Sequence, residues 1–374
     1  MLKRMDSTRT RKERRGERAS LGMSLGGDPL KCGLHDERVD NVRMQRPDPA
    51  KNLLFGDWFP FVPRFQRCLS YYCDEWLILN RSRVKESTYV KYSGSLEKYI
   101  KPRLGACSVE TVSTVLVEQF CHDLLFEAAL SPKTVRDVLA VLHSVLKYAE
   151  KRSARSVDPI EIIYPKIPKC EMRVLSQEEQ TTLVQYLLKD MDSCKFGVLL
   201  SLMTGMRIGE ICALRWNNIS LSDRLIKIDS TMQRIRNLNN EGNGRTKVII
   251  SAPKSDTSAR VVPLTDFGID LCCMQYPSDD PSAFVLTGTS DRYMEPRTMQ
   301  YRIRKYTEAC GLSGVHFHTL RHTFATRCIE VDFEIKSLSE ILGHASPRIT
   351  LERYVHSSLE LKRNNMNKLS FLGL

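Results

Sequence analysis

A proline-containing stretch near the middle of the chain most constrains how this sequence can fold. Residues 156–172 show no helical period and contain three prolines, Pro159, Pro165 and Pro168. Proline lacks a backbone donor and has a restricted φ, so neither a regular helix nor a central strand runs easily through such a stretch. The stretch predicts a linker between two domains, residues 56–155 and 173–374. The chain of 374 residues is long enough to bury a core in each.

The first of these domains is predicted to be helical. Apolar residues recur at helical spacing, and serine and proline stand where they start or stop helices. The pattern predicts four helices, which run from Phe65 to before Asn80, from Ser87 to a stop at Pro102, from Val112 to Leu125, and from Pro132 to Lys151. The second of them is expected to have Ser87 as its N-cap. Four short helices in a basic segment are compatible with a compact module that clamps DNA, but composition alone does not distinguish it from any other small helical domain.

The second domain is predicted to be mostly helical with a small antiparallel β-sheet, so the fold class is α+β. Ser176 and Glu179 form a capping box at its start. Residues 297–374 return to helical periodicity. Three β-rich runs lie between these helical parts, at Leu225–Ile228, Val248–Ser251 and Arg260–Leu264. The polar residues between the last two runs predict a hairpin turn that carries Lys254.

The charge of the chain favours a polyanionic partner. Lysine and arginine exceed the acidic residues by 12 and are spread along the whole sequence. Dispersed cations suit nucleic acid, because binding to phosphates releases counterions. A membrane surface fits less well, since no basic amphipathic helix stands out and no apolar stretch approaches the roughly 20 residues that span a bilayer. Residues 1–55 are basic and aperiodic, and are interpreted as a disordered segment whose role is open.

The twelve cysteines predict neither a metal site nor a disulfide framework. They are scattered, often within apolar helical patterns, and none forms a C-x-x-C pair. The charged N-terminus has no apolar signal segment. We therefore expect reduced cysteines in a cytoplasmic protein with no metal and no membrane contact.

Four short polar stretches carry the candidate chemistry, and each alone has an ordinary structural interpretation. Arg207 and Glu210 lie three apart at a predicted helix start, which is typical of a surface ion pair. Lys254 suits a solvated turn. The others contain His318 and Arg321 on one helix face, then Gly343, His344 and Tyr354 around a helix boundary. His322 falls off the His318 face and is interpreted as structural.

Together the four stretches resemble the tyrosine recombinase (phage integrase) family. The strings are Thr-Gly-Met-Arg-x-x-Glu, His-x-Leu-Arg-His-Thr-Phe-Ala-Thr and Leu-Gly-His with a tyrosine ten residues after the histidine. The resemblance covers about residues 65–365. It implies a helical core-binding domain followed by a catalytic domain, and a site-specific DNA recombinase that integrates or excises a mobile element. It also implies a bacterial, nucleoid-associated enzyme that needs no cofactor.

The resemblance also implies a role for each polar group. Tyr354 is the implied nucleophile, which forms a 3′-phosphotyrosyl link, with Arg207, Arg321 and His344 holding the phosphate. His318 is the implied proton acceptor, Lys254 the general acid, and Glu210 a supporting residue. Phosphate neutralisation, a nucleophile and leaving-group protonation are what phosphodiester cleavage requires.

The implied partners are double-stranded DNA and three further copies of the chain, in a homotetramer on two DNA sites. The apolar C-terminal residues Leu369–Leu374 are predicted to dock on a neighbouring copy. An excisionase or a DNA-bending accessory protein is a further candidate partner. Two alternatives stay open: a type IB topoisomerase-like activity that relaxes DNA, and a catalytically idle DNA-binding regulator. The target sequence is not predicted, because base readout depends on side chains whose groove positions are unknown.

Overall fold

The structure is a computed structural model, and it describes residues 68–152, 160–168, 172–238, 244–253, 258–276 and 280–354, with Arg363 and Met366. Three predictions lie outside these residues. They concern the disordered segment 1–55, the position of Lys254, and the docking of Leu369–Leu374. Among the described residues, no helix is both long and apolar enough to cross a membrane.

The first module is helical, as the sequence predicts. Its α-helices within the described residues are α1 (Leu69–Asn80), α2 (Glu86–Ser95), α3 (Lys101–Leu104), α4 (Thr114–Phe126) and α5 (Pro132–Arg152). The long amphipathic α5 buries one side, including Val135, Leu139 and Leu142, against the other helices. These contacts form a core separate from that of the following domain.

Two boundary predictions in this module are wrong. Lys85, rather than Ser87, is the N-cap of α2. Pro102 does not stop the helix, because a π-helical turn, Leu96–Ile100, leads directly into α3. Pro102 lies in the first turn of α3, a position at which proline is tolerated.

The second domain contains eight further α-helices in the described part of the chain. They are α6 (Gln177–Leu188), α7 (Ser193–Thr204), α8 (Ile208–Ala213), α9 (Asp266–Gln275), α10 (Pro296–Ala309), α11 (Phe317–Glu330), α12 (Ile335–Leu342) and α13 (Pro347–Tyr354). The predicted capping box of Ser176 and Glu179 is present at the start of α6. Helices α7 and α11 pack together and bring distant parts of the sequence to one place.

The strands form two antiparallel sheets rather than one. Strands β1 (Ile219–Ser220), β2 (Leu225–Ile228) and β5 (Arg260–Pro263) form one sheet, and β3 (Thr231–Arg236) pairs with β4 (Thr246–Ser251). The prediction missed β1 and β3, and the predicted hairpin between β4 and β5 is wrong. Each of these strands pairs with an earlier one, β4 with β3 and β5 with β2. Strands β4 and β5 therefore belong to different sheets.

The helical module contacts β4 and the two residues that follow it. Lys85 Nζ donates to the carbonyl oxygens of Ala252 (3.1 Å) and Pro253 (2.6 Å). Glu86 forms an ion pair with Lys247 of β4, at 2.7 Å between Oε1 and Nζ. The start of α2 is thus attached to β4 and to the two residues that follow it.

Gly205 lets α7 end where α11 and α12 meet. It is the C-cap of α7 with φ +66°, and an added Cβ would lie 2.6 Å from Phe324 Cδ1 and 2.8 Å from Leu342 Cδ2. Gly205→Ala combines a left-handed backbone, costing about 1–2 kcal/mol, with overpacking, costing about 1–3 kcal/mol. We expect a lower midpoint in urea unfolding, with a loss of about 2–5 kcal/mol.

Gly311→Ala is the matched control. Gly311 has φ +71°, but an added Cβ would meet no atom within 4 Å. Gly311→Ala should therefore lose only the unfolding free energy that the left-handed backbone costs, about 1–2 kcal/mol. Equal losses for the two variants would contradict close packing around Gly205.

Candidate active site

A buried carboxylate organises two of the site's arginines. Arg207 is the N-cap of α8 with an extended backbone, one residue earlier than the predicted first turn. Glu210 accepts hydrogen bonds from the Arg207 backbone and guanidinium, each at 2.8 Å. It also accepts from Arg260 Nη1 (3.0 Å) and Nη2 (2.9 Å). Because the Glu210–Arg260 pair is almost fully buried, Glu210 holds structure in place rather than forming a surface ion pair.

The charge of Glu210 is maintained by its partners. Burial alone raises the pKa of this carboxyl, but the hydrogen bond and charge of Arg260, together with Arg207, lower the pKa below its ordinary value. Arg260 was not among the predicted site residues. The strand alternation in β5 places Arg260 and the buried Val262 on the same face, so an inward-facing arginine was the available signal.

Two guanidiniums meet at the turn after α12. Arg321, only 2% exposed, donates to the carbonyls of Gly205 (2.8 Å) and Leu342 (2.7 Å). Arg207 Nη2 donates to the carbonyl of Gly343 at 3.1 Å. Desolvation and the nearby charge of Arg207 together lower the pKa of Arg321 to about 9. The two cations therefore lie in one partly desolvated pocket.

His344 follows the left-handed Gly343, which ends α12 at φ 63° as the sequence predicts. Its Nδ1 lies 2.8 Å from Thr350 Oγ1, a contact that fixes the ring. Desolvation and the charges of Arg321 and Arg207 lower the pKa of His344 to about 3. The imidazole is therefore neutral near pH 7.

Tyr354 lies at the end of α13 with its ring 6% exposed. The ring is parallel to that of His344, with centroids 6.2 Å apart. Burial raises the pKa of the phenol, although the charges of Arg321 and Arg353 act in the opposite direction. The tyrosine thus lies beside the cationic pocket, in its protonated form.

The hydroxyl of Tyr354 contacts His322, which the sequence interpretation had set aside as structural. His322 Nδ1 lies 2.9 Å from Tyr354 Oη. The missed signal is spacing: residues four apart on a helix share a face, so His322 adjoins His318 on α11. The two imidazoles are edge to face, with centroids 4.6 Å apart.

His318 itself faces an open groove of about 850 Å³. Desolvation and the charges of His322 and Arg321 lower the pKa of this imidazole to about 4. The groove is also lined by Arg207 and by polar residues of α10, namely Arg297, Gln300, Tyr301 and Arg304. The cations of this groove are suited to a polyanion that runs past His318.

Five of the six predicted catalytic residues thus lie around one pocket, and Lys254 lies outside the described residues. Across the described segments, no group of three or more histidine, cysteine or acidic side chains is arranged to hold a metal ion. Two arginines, three neutral imidazoles and a phenol can bind a phosphodiester and supply an oxygen nucleophile.

Comparisons with known proteins identify the family of the chain. Residues 173–360 match the phage integrase family, and residues 68–125 match the phage integrase N-terminal SAM-like domain. The chain belongs to the phage integrase family and is a tyrosine-type site-specific recombinase. The predicted family and fold class are confirmed.

Relatives and solved structures are similar over most of the chain. A tyrosine recombinase XerC-like protein of Caldanaerobacter subterraneus subsp. tengcongensis is 25% identical, over 79% of this chain and 81% of its own. The Tn1549 transposon integrase, solved with a circular intermediate DNA, has a TM-score of 0.67 at 18% identity, covering 81% and 99% of the two chains. A lambda integrase tetramer bound to a Holliday junction has a TM-score of 0.56 at 17% identity. The match covers 79% of this chain and 82% of the lambda integrase chain.

Removing the charge of Glu210 tests its part in the site. Glu210→Gln leaves two arginines without their counter-ion, so we expect a loss of about 3–5 kcal/mol in unfolding free energy at pH 7. Because the folded pKa is lowered, this stabilisation is present above the unfolded pKa of 4.5 and is lost as the pH falls through the folded value. The difference in unfolding free energy between parent and variant should therefore become smaller below pH 4.5, as measured by urea unfolding at each pH.

Glu330→Gln serves as the control, since Glu330 pairs with Arg327 on the surface. It should cost less than about 1 kcal/mol. The buried ion pair would be contradicted if Glu210→Gln lost as little unfolding free energy as Glu330→Gln, or if its loss did not depend on pH.

Proposed function

We propose that this recombinase cleaves and rejoins DNA through a 3′-phosphotyrosyl intermediate on Tyr354. The observation that carries the proposal is the convergence of two guanidiniums, the imidazoles and one phenol around the turn after α12. A DNA phosphodiester is anionic and its alkoxide leaves poorly, so cleavage requires charge neutralisation first.

Arg207 and Arg321 supply that neutralisation. Their guanidiniums donate to carbonyls at the end of α12, and we assign their remaining N–H donors to the non-bridging phosphate oxygens. His344 donates a further hydrogen bond to the same phosphate. Glu210 keeps Arg207 in place through its two hydrogen bonds to that residue.

Proton transfers complete the reaction. Tyr354 attacks in line and passes its proton to an imidazole of the site, and Lys254 is the general acid for the 5′ oxygen. The phosphotyrosyl link conserves the energy of the broken bond. Rejoining therefore needs no ATP.

The proposed substrate is double-stranded DNA that carries the ends of a mobile element. The titles of the solved relatives name a transposon integrase with circular intermediate DNA and a lambda integrase tetramer on a Holliday junction. The basic groove beside His318 and the excess of 12 positive charges support a DNA partner. By the same reasoning we propose that four copies act on two sites.

An apolar groove supports contact between copies. It encloses about 630 Å³ between α6, α7, α11 and β5. Three of its residues are notably exposed: Val331 (74%), Phe267 (46%) and Phe333 (37%). An exposed apolar surface of this kind marks a binding site. We assign it to the apolar residues Leu369–Leu374 of a neighbouring copy.

Covalent trapping tests the nucleophile. A binding site is first selected by incubating the protein with random DNA duplexes. The selected duplex is then nicked close to the cleavage position, so that the short cleaved fragment diffuses away, rejoining is prevented and the covalent adduct accumulates. The parent should form a covalent protein–DNA adduct, and Tyr354→Phe should form none, because it lacks the attacking oxygen. Tyr293→Phe, on an exposed loop, should trap like the parent. Adduct formation by Tyr354→Phe would contradict the proposal, and absence of any parental adduct would favour an idle regulator.

Assembly on DNA tests the apolar groove. Val331→Glu, and separately removal of residues 369–374, should reduce complexes that hold two DNA sites by about tenfold or more in gel-shift assays. Binding of one copy to a single half-site should be unchanged. Met274→Glu, at an exposed apolar position on α9, is the control. Normal two-site complexes from the shortened chain, or a monomer whose tail packs in its own groove, would contradict this assignment.

A further inference from the structure

The contact between His322 and Tyr354 assigns the resting nucleophile a partner. His322 follows Arg321 on α11, and its Nδ1 lies 2.9 Å from Tyr354 Oη. The ring centroids are 5.6 Å apart. We propose that His322, rather than His318, accepts the proton of Tyr354 when the phenol attacks the phosphodiester. This inference rests on the proposed function and refines its chemistry.

The protonation states of the pair follow from their surroundings. Desolvation and the charges of Arg353 and Arg321 lower the pKa of His322, so its imidazole is neutral near pH 7. Burial raises the pKa of Tyr354, so the phenol keeps its proton. The phenol O–H therefore donates to the lone pair of Nδ1, and the imidazole proton is on Nε2. The pair is set for a direct transfer.

The position of His318 suits a different task. His318 lines the groove beside Arg207, with its ring edge to face against His322. A phosphate held by Arg207 would thus approach the groove side of the site. We assign His318 to contact with the phosphate and His322 to contact with the phenol.

DNA binding makes His322 a stronger base. The charged groups that face it are Arg321 and Arg353, and its titratable neighbours are His318 and Tyr354. A phosphodiester adds one negative charge to this cationic pocket and offsets the repulsion that an imidazolium would meet. Proton transfer is consequently favoured when the phosphate is in place. Without bound DNA, the phenol of Tyr354 keeps its proton and does not react.

The step balances in both directions. The Oη–H bond breaks as Oη bonds to phosphorus, the proton passes to Nδ1 of His322, and the 5′ oxygen leaves with a proton from the general acid. In rejoining, the 5′ hydroxyl attacks phosphorus and its proton returns to the general acid. The departing phenolate recovers its proton from the His322 imidazolium. No further reactant is consumed.

Single-turnover cleavage of the nicked duplex tests this role with two variants. His322→Ala should slow adduct formation by about 10²–10⁴-fold. His322→Asn can still accept a hydrogen bond but not a proton, and should be similarly slow. A more acidic, fluorinated tyrosine at position 354 should restore much of the rate, because it ionises without a base. His122→Ala, with an exposed ring on α4, is the control.

A substrate with sulfur at the 5′ bridging position separates the two proton transfers. Its thiolate leaves without a proton, so it should rescue Lys254→Ala but not His322→Ala. Rates of both His322 variants within about threefold of the parent, or rescue of His322→Ala by the sulfur substrate, would overturn the inference. If the parent formed no adduct, the proposed function itself would fail. Urea unfolding of each variant checks that folding is intact.

Discussion

The four hydrogen bonds to the buried Glu210 carboxylate are the interaction on which the site depends. They come from the backbone and side chain of Arg207 and from both Nη atoms of Arg260. A buried charge without partners costs several kcal/mol, so carboxylate and guanidiniums stabilise each other only as a set. Through Arg260, which also donates to the Ile341 carbonyl, the set reaches the end of α12. The start of α8, strand β5, the end of α12 and the arginines of the site are thereby held together.

Around this set, the site joins acidic, basic and nucleophilic groups that are far apart in the sequence. Arg321 crosses from α11 to the carbonyls of Gly205 and Leu342, which ties three helix ends to one guanidinium. The close packing at Gly205 leaves no room for a side chain there. Because α13 begins just beyond this junction, its last residue, Tyr354, reaches the same pocket. The position of α13 therefore places the phenol of Tyr354 beside Arg207 and Arg321.

Much of this arrangement was predictable, for local reasons. The capping box at Ser176 and the helix end at Gly343 follow from short-range rules, and both are present. The pairing of β4 with β3 was not predictable, because strand partners depend on contacts distant in the sequence. The same holds for Arg260 and His322. Their partners lie 50 and 32 residues away, and only the folded chain brings them together.

The central claim is that the oxygen of Tyr354 becomes bonded to DNA. It is tested most directly by trapping the parent protein on a nicked duplex, trimming the DNA with nucleases and sequencing the tryptic peptides by mass spectrometry. The account predicts a nucleotide attached through its 3′ phosphate to Tyr354. A nucleotide on any other residue, or one attached through its 5′ phosphate, would contradict it.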